Sequence, residues 1–262
     1  MSGSGGLSSI SIRRGGQRPA ARGFSLVDVL FSIGVIAVLI ALLMPSMGRV
    51  RELARQSVCA SNMRQSGIGI HMFADRHDSL LPPSVFIDRD SDQTRNIPEA
   101  VAQRYTILIH IRTTPHLGAP SSAGMWDGLG KLYEDSILPA GAVFYCPSYK
   151  GENTYSKYAG QINRGVGQIF SNYQYRGKGP RGRKKLYQLD PGVALVADAM
   201  ADEEYFNHDA GFNVLRVDHS VSWFPDTGGE VAERLAATAF DDNDDALPLV
   251  WHMFDRGNAA GD

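Results

Sequence analysis

Apolar positions are concentrated in one stretch near the start of the chain. From Phe24 to Met44 the sequence is apolar except for Asp28 and small Ser and Gly residues, and Val29 to Gly48 carries no charge. A helix needs about 20 such residues to cross the hydrocarbon core of a bilayer, so the pattern predicts a membrane-spanning helix over 24–45. Pro45 predicts a kink. Beyond it, Val50, Leu53, Ala54, Ser57, Val58 and Ser61 recur at helical spacing, with Arg51, Glu52, Arg55 and Gln56 interleaved. That is an amphipathic continuation over 46–76 in need of a surface to pack on. Gly67 and Gly69 weaken it, and "LLPPS" at 80–84 ends it.

The periodicity changes after Pro83. "DQTRNIPEAVAQRYTIL" reads as a loop entering a short helix, and "MWDGLGKLYEDSILP" (125–139) as a short helical segment with Gly-rich turns. "AVFYCPS" (142–148) is a short apolar run ended by Pro and reads as a strand ending at Cys146. "SNYQYRG" (171–177) alternates like a strand, and "VALVADAM" (193–200) is a buried-strand pattern. "FNVLRVDHSVSWF" (212–224) predicts two strands around a tight turn at Asp218-His219. The last stretch, from Ala239, is expected to be irregular, with a disordered tail over 255–262. The expected fold is α+β: a long N-terminal membrane-spanning helix that continues into a small head. There a small antiparallel sheet packs on the amphipathic half of the helix, and the head extends over 77–254.

Charge sharpens this division. The 262 residues carry a net charge of -2, but Arg13, Arg14, Arg18 and Arg22 lie in the first 22 residues with no acid among them. Without these four the rest of the chain is acidic, which argues against nucleic acid as a partner. The basic run Arg176 to Lys185 is broken by Gly and Pro and reads as a solvated loop. Basic residues before the apolar run place the N-terminus in the cytoplasm and the head outside, periplasmic or extracellular. The two cysteines, Cys59 and Cys146, form no CxxC, which removes the usual spacing signals for zinc and thioredoxin-like sites. In an oxidising compartment the pair is a disulfide candidate, and two buried free thiols are the alternative.

A cleaved secretory signal fits poorly, because the apolar core is too long and "LLMPSMGRV" lacks a small-x-small site. The twin Arg13-Arg14 lies too far from the core to act as a twin-arginine signal. A plain anchor leaves Asp28 and the Arg22-Gly23-Phe24 junction unexplained. "RGFSLVDVLFSIGVIAVLIALLMPSMGRVRELARQSVCASNMRQ" resembles the N-terminus of a type IV prepilin or type II secretion pseudopilin. That family has a basic leader ending in Gly, then Phe, then an acid at the fifth mature position, and a Pro near the end of the apolar helix. Gly23, Phe24, Asp28 and Pro45 stand at those places, with Asp where the family usually has Glu. The resemblance implies a leader over 1–23, cleavage after Gly23 by a prepilin peptidase and methylation of the Phe24 amine. It also implies assembly with other subunits through the N-terminal helix, in the inner membrane.

In the head, "GLGKLY", "FYCPS" and His208, separated from Asp218 by nine residues, resemble a pseudopilin-like group abundant in planctomycetes and named for a His-nine-residues-Asp-Gly motif. Here His219 replaces the motif's Gly, at a turn where Gly suits positive φ better. His208, Asp218 and His219 are residue types that bind divalent ions, but a hairpin turn with a hydrogen-bonded His is the simpler reading. Asp241, Asn243 and Asp245 in "DDNDD" are weak calcium candidates without the Gly of an EF-hand loop, and a solvated acidic loop explains them as well. No nucleophile elbow, P-loop or HExxH is present, so no enzyme and no cofactor are expected. The expected function is a structural subunit of a type II secretion or type IV pilus-like filament. The alternative is a membrane-anchored extracytoplasmic binding or enzymatic domain that does not polymerise.

Overall fold

A computed structural model describes residues 25–88, 99–112, 124–201, 205–237 and 246–255. Gly23, Phe24, the leader, the calcium candidates Asp241, Asn243 and Asp245, and residues 256–262 lie outside the described residues. The chain divides into two units, Met1–Gly48 and Arg49–Asp262. In the first unit the described residues form the start of helix α1, which runs Leu26–Arg76. Its segment Leu26–Met44 has mean hydropathy 2.8 and none of it is buried, so it is apolar and long enough to cross a membrane. The acid in its first turn is part of a cap. The Ser25 hydroxyl accepts the Val27 N–H at 3.3 Å, and the Asp28 carboxylate accepts the Ser25 N–H at 3.3 Å. This is a reciprocal Ser-x-x-Asp capping box, which satisfies donors that a helix start leaves free.

The second unit is a mixed α+β body. After α1 come α2 (Val85–Asp88), α3 (Glu99–Arg104), β1 (Leu108–Arg112), β2 (Gly124–Trp126), α4 (Gly130–Glu134) and α5 (Tyr155–Arg164). They are followed by β3 (Ile169–Phe170), β4 (Tyr173–Tyr175), β5 (Ala194–Asp198), β6 (Gly211–Arg216), β7 (Val221–Pro225), α6 (Glu230–Ala237) and α7 (Ala246–Phe254). The strands form two antiparallel sheets, in the orders β2-β1-β3 and β4-β5-β6-β7. The second sheet is covered on both faces. Leu195, Val196 and Leu215 join Cys59, Met63, Ile70 and Phe73 of α1 in one core. Ala194, Phe212 and Val214 join Val231 and Leu235 of α6 and Leu247, Val250, Trp251 and Phe254 of α7 in another. A strand covered on two sides is apolar almost throughout, which is why β5 was legible as an apolar run, whereas β6, which carries Asn213 and Arg216, was legible from its turn.

Several expectations need correction. The buried stripe of α1 is Cys59, Met63, Ser66, Ile70 and Phe73, whereas Val50, Leu53 and Val58 are exposed. The stripe continues backward at alternating steps of three and four to Gln56 and Glu52, so its early positions are polar and hydrophobicity hides it. "AVFYCPS" forms a 3₁₀ turn at Gly141–Phe144 in place of a strand. In 125–139 only Gly130–Glu134 is α-helical, and Met125 and Trp126 belong to β2. The expected irregular C-terminus contains α7, most of it buried. Asp255, assigned above to a disordered tail, lies in the folded body, bound to Arg176 at 2.7 Å. Arg176, the first residue of the basic run, is correspondingly buried.

Candidate functional site

Cys59 projects from the buried stripe of α1, and Cys146 follows the 3₁₀ turn at Gly141–Phe144. Asp198 ends β5 opposite Tyr173 of β4, and His208 lies in the segment that enters β6. All four side chains are buried, and their ligand-type atoms lie within 4.8 Å of one another. Cys59 Sγ–H donates to Asp198 Oδ1 at 3.0 Å. Cys146 Sγ lies 3.5 Å from His208 Nε2, which is 3.7 Å from Asp198 Oδ2. The Tyr173 ring is fully buried beside the two thiols. Sheet geometry aims these groups together: Asn213 and Leu215 share the β6 face toward α1, while Phe212 and Val214 point to the other core.

A second layer of polar groups holds the four in place. Asn207 Nδ2 donates to Asp198 Oδ1 at 2.7 Å, and the Asn213 backbone N–H donates to Asp198 Oδ2 at 2.5 Å. Asn213 Nδ2 reaches Asp198 Oδ2 at 3.0 Å and His208 Nε2 at 3.3 Å. The other ring nitrogen, His208 Nδ1, sits 2.7 Å from Glu52 Oε1, and Ser148 Oγ donates to that same oxygen at 2.8 Å. Thus Glu52, on the polar early part of the α1 stripe, orients the histidine.

The electrostatics follow from burial and neighbours. Burial pushes the Asp198 carboxyl and the Cys59 thiol up. Cys146 is held down at about 7, first by its hydrogen bond with Cys59, which outweighs burial, and then by His208. Burial works against a charged His208, but Cys146, Asp198 and Glu52 outweigh it and hold its pKa up at about 9. Burial likewise works against the Glu52 carboxylate, yet hydrogen bonds from His208 and Ser148 keep its pKa low. The Cys146–His208–Glu52 order is that of an activated thiol, its base and an orienting carboxylate. At 5 % exposure, however, Cys146 offers a substrate little access.

Cys59 and Cys146, by sequence either a disulfide candidate or two buried free thiols, lie close together with no bond between them. The absence of a CxxC did not keep metal-ligand types apart, because the four donors come from three distant parts of the chain. His208 belongs to this cluster, while Asp218 and His219 form the β6–β7 turn away from its ligand set. His219 adopts φ 63° and packs its ring on His71, centroids 3.8 Å apart. Asp198, Glu52, Asn207 and Asn213 were not singled out as site residues. The only signal for Asp198 was a carboxylate inside the apolar run "VALVADAM".

No match was found among curated proteins or among solved structures. One family model matches residues 48–193, a span that includes Glu52, Cys59 and Cys146 and ends before Asp198 and His208. That match covers more than half of the chain, and by it the protein belongs to the family described as protein of unknown function DUF1559, the planctomycete-type prepilin-like group.

Proposed function

We propose that this protein is a prepilin-type structural subunit of a type II secretion or type IV pilus-like filament. On this reading a prepilin peptidase cleaves between Gly23 and Phe24 on the cytoplasmic side and the new Phe24 amine is methylated. The segment Leu26–Met44 then stays in the inner membrane as a single-pass anchor, with the head periplasmic or extracellular. The head is a structural module and not an enzyme. The observation that carries the reading is the unburied apolar segment with a single acid, Asp28, in its first turn. Family membership agrees with it. Beyond the membrane segment, Val50, Leu53 and Val58 add exposed apolar surface on α1, suited to packing against the same helix of neighbouring subunits.

The test is the intact mass of the chain recovered from membranes of a host with a prepilin peptidase. The expected mass is that of residues 24–262 plus one methyl group. An uncut chain, or one cut after Met44, overturns the proposal. Either result favours the second reading, a membrane-anchored domain that does not polymerise, to which the buried Cys59–Cys146–Asp198–His208 cluster lends support.

A further inference from the structure

We propose that Cys59, Cys146, Asp198 and His208 form a tetrahedral binding site for a divalent cation of the zinc class, within the folded body. The inference is independent of whether the chain polymerises.

The donor set and its spacing both fit. Two thiolates, one imidazole and one carboxylate are the ligand types that zinc takes in four-coordinate sites. Zinc–sulfur bonds of about 2.3 Å and zinc–nitrogen or zinc–oxygen bonds of about 2.0–2.1 Å place neighbouring ligand atoms roughly 3.3–3.8 Å apart around a tetrahedron. The Cys146 Sγ–His208 Nε2 and His208 Nε2–Asp198 Oδ2 separations of 3.5 and 3.7 Å lie in that range. The other carboxylate oxygen, Asp198 Oδ1, accepts the Cys59 S–H at 3.0 Å, and loss of that proton to a metal frees the thiolate to ligate, all four ligand atoms lying within 4.8 Å of one another.

The surrounding hydrogen bonds are those a metal site needs. A ligating histidine donates its other N–H to a carboxylate, which turns the remaining lone pair toward the metal. Glu52 does this for His208 at Nδ1, leaving Nε2 facing Cys146 and Asp198. Amide donors from Asn207 and Asn213 hold the Asp198 carboxylate in orientation. Binding releases the two thiol protons, and any proton on His208 Nε2, to solvent. The resulting site carries two thiolates and a carboxylate against the dication, a charge of about -1 that the amide donors partly offset.

A disulfide explains these neighbours less well. Oxidation of Cys59 and Cys146 removes the thiol proton that Asp198 accepts and leaves a fully buried carboxylate with one partner fewer. It also gives Glu52 no reason to orient His208. The four ligand residues are buried, and a cavity lies beside the site on each of two sides. Cys146 borders a cavity of about 520 Å³ together with Val58, Asn62 and Tyr145, and His208 borders another of about 420 Å³.

The experiment uses the full-length protein in detergent, isolated without chelator and without added metal. The expected result is about one zinc per chain by elemental mass spectrometry. Exchange with cobalt(II) is expected to give thiolate-to-cobalt charge-transfer absorption and the intense visible bands of a tetrahedral ion. Both thiols should resist alkylation until a chelator is added. Cys59→Ser is expected to lose part of the charge-transfer absorption, and Glu52→Gln, which leaves all four ligands in place, to weaken zinc binding by about 10- to 100-fold. The wild-type measurements stand even if a variant fails to fold. A native chain 2 Da lighter than its reduced form, with the cysteines bridged, overturns the site. So does a native chain with two free thiols that alkylate without chelator and no cobalt spectrum.

Discussion

Asp127 shows how one buried carboxyl sets a pH dependence for the whole body. It is 1 % exposed, accepts the Ser84 hydroxyl at 2.7 Å and the Val85 N–H at 2.8 Å, and so fixes the start of α2. Burial raises its pKa from 3.8 to about 6, against the lowering effect of those two hydrogen bonds. Between these values the folded chain keeps a proton that the unfolded chain has released. This contribution to stability is therefore fully present below about pH 3.8 and is lost as pH rises through about 6. In Asp127→Asn the side-chain oxygen still accepts the Val85 N–H, and the Ser84 hydroxyl turns to accept from the amide. Denaturant midpoints taken from pH 4 to 7 should fall with rising pH for the wild type and fall less for the variant. Equal slopes would assign the dependence to other groups.

At the scale of elements, α7 is the part of the fold that most changes the expected picture. Leu247, Val250, Trp251 and Phe254 fill the core on one face of the second sheet, and Asp255, next after the helix, locks it there. Asp255 Oδ1 accepts Arg176 Nη1 at 2.7 Å and the Ala194 N–H at 2.8 Å, and both charged side chains are under 10 % exposed. Removing one partner of a buried pair leaves the other charge without compensation. Asp255→Ala should cost about 3–5 kcal/mol in chemical denaturation. Arg176→Met combined with Asp255→Leu should cost less than the single change, because no lone charge remains. A double variant weaker than Asp255→Ala would mean that packing, not charge, is what the pair supplies. The "GLGKLY" landmark also gains a physical reason at this scale. A Cβ on Gly130 would lie 1.9 Å from the Ile109 carbonyl oxygen, so only glycine lets α4 approach β1 this closely.

For the whole molecule, the central question is what Asp28 does at the mouth of a membrane-length helix. It has a local role, closing the capping box with Ser25. On the proposed reading the Ser25 N–H survives the cut after Gly23, so the cap and a charge contact with a Phe24 amine are compatible. In a filament the carboxylate can also meet the amine of the neighbouring subunit and set axial register, a use of buried charge for specificity more than stability. Two substitutions separate the roles. Asp28→Asn keeps an acceptor for the cap and loses the charge, and Asp28→Ala loses both. Both should insert and be cleaved, and both should be recovered less in sheared or cross-linked filaments. If Asp28→Asn assembles like the wild type, the cap and not the charge is the functional feature.

The membrane-length segment, the long helix to Arg76, the buried strands β5 and β6 and the β6–β7 turn are all local properties of the chain. Each is set by residue types within one window: apolar length, period, or a turn flanked by β-branched residues. Even the departure from glycine at His219 was legible as a site that needs positive φ, and it has φ 63°. The site was not legible in this way. Its four donors stand at 59, 146, 198 and 208, with the orienting carboxylate at 52, and no spacing rule links positions so far apart. The polar start of the α1 stripe hid Glu52 from a search for apolar periodicity. Asp198 looked like an interruption in a strand. The sequence alone determined an apolar segment able to span a membrane and an α+β body after it. Only the tertiary structure decided that two lone cysteines, a buried acid and a motif histidine face one another, because strand pairing and helix packing bring distant residues within bonding reach.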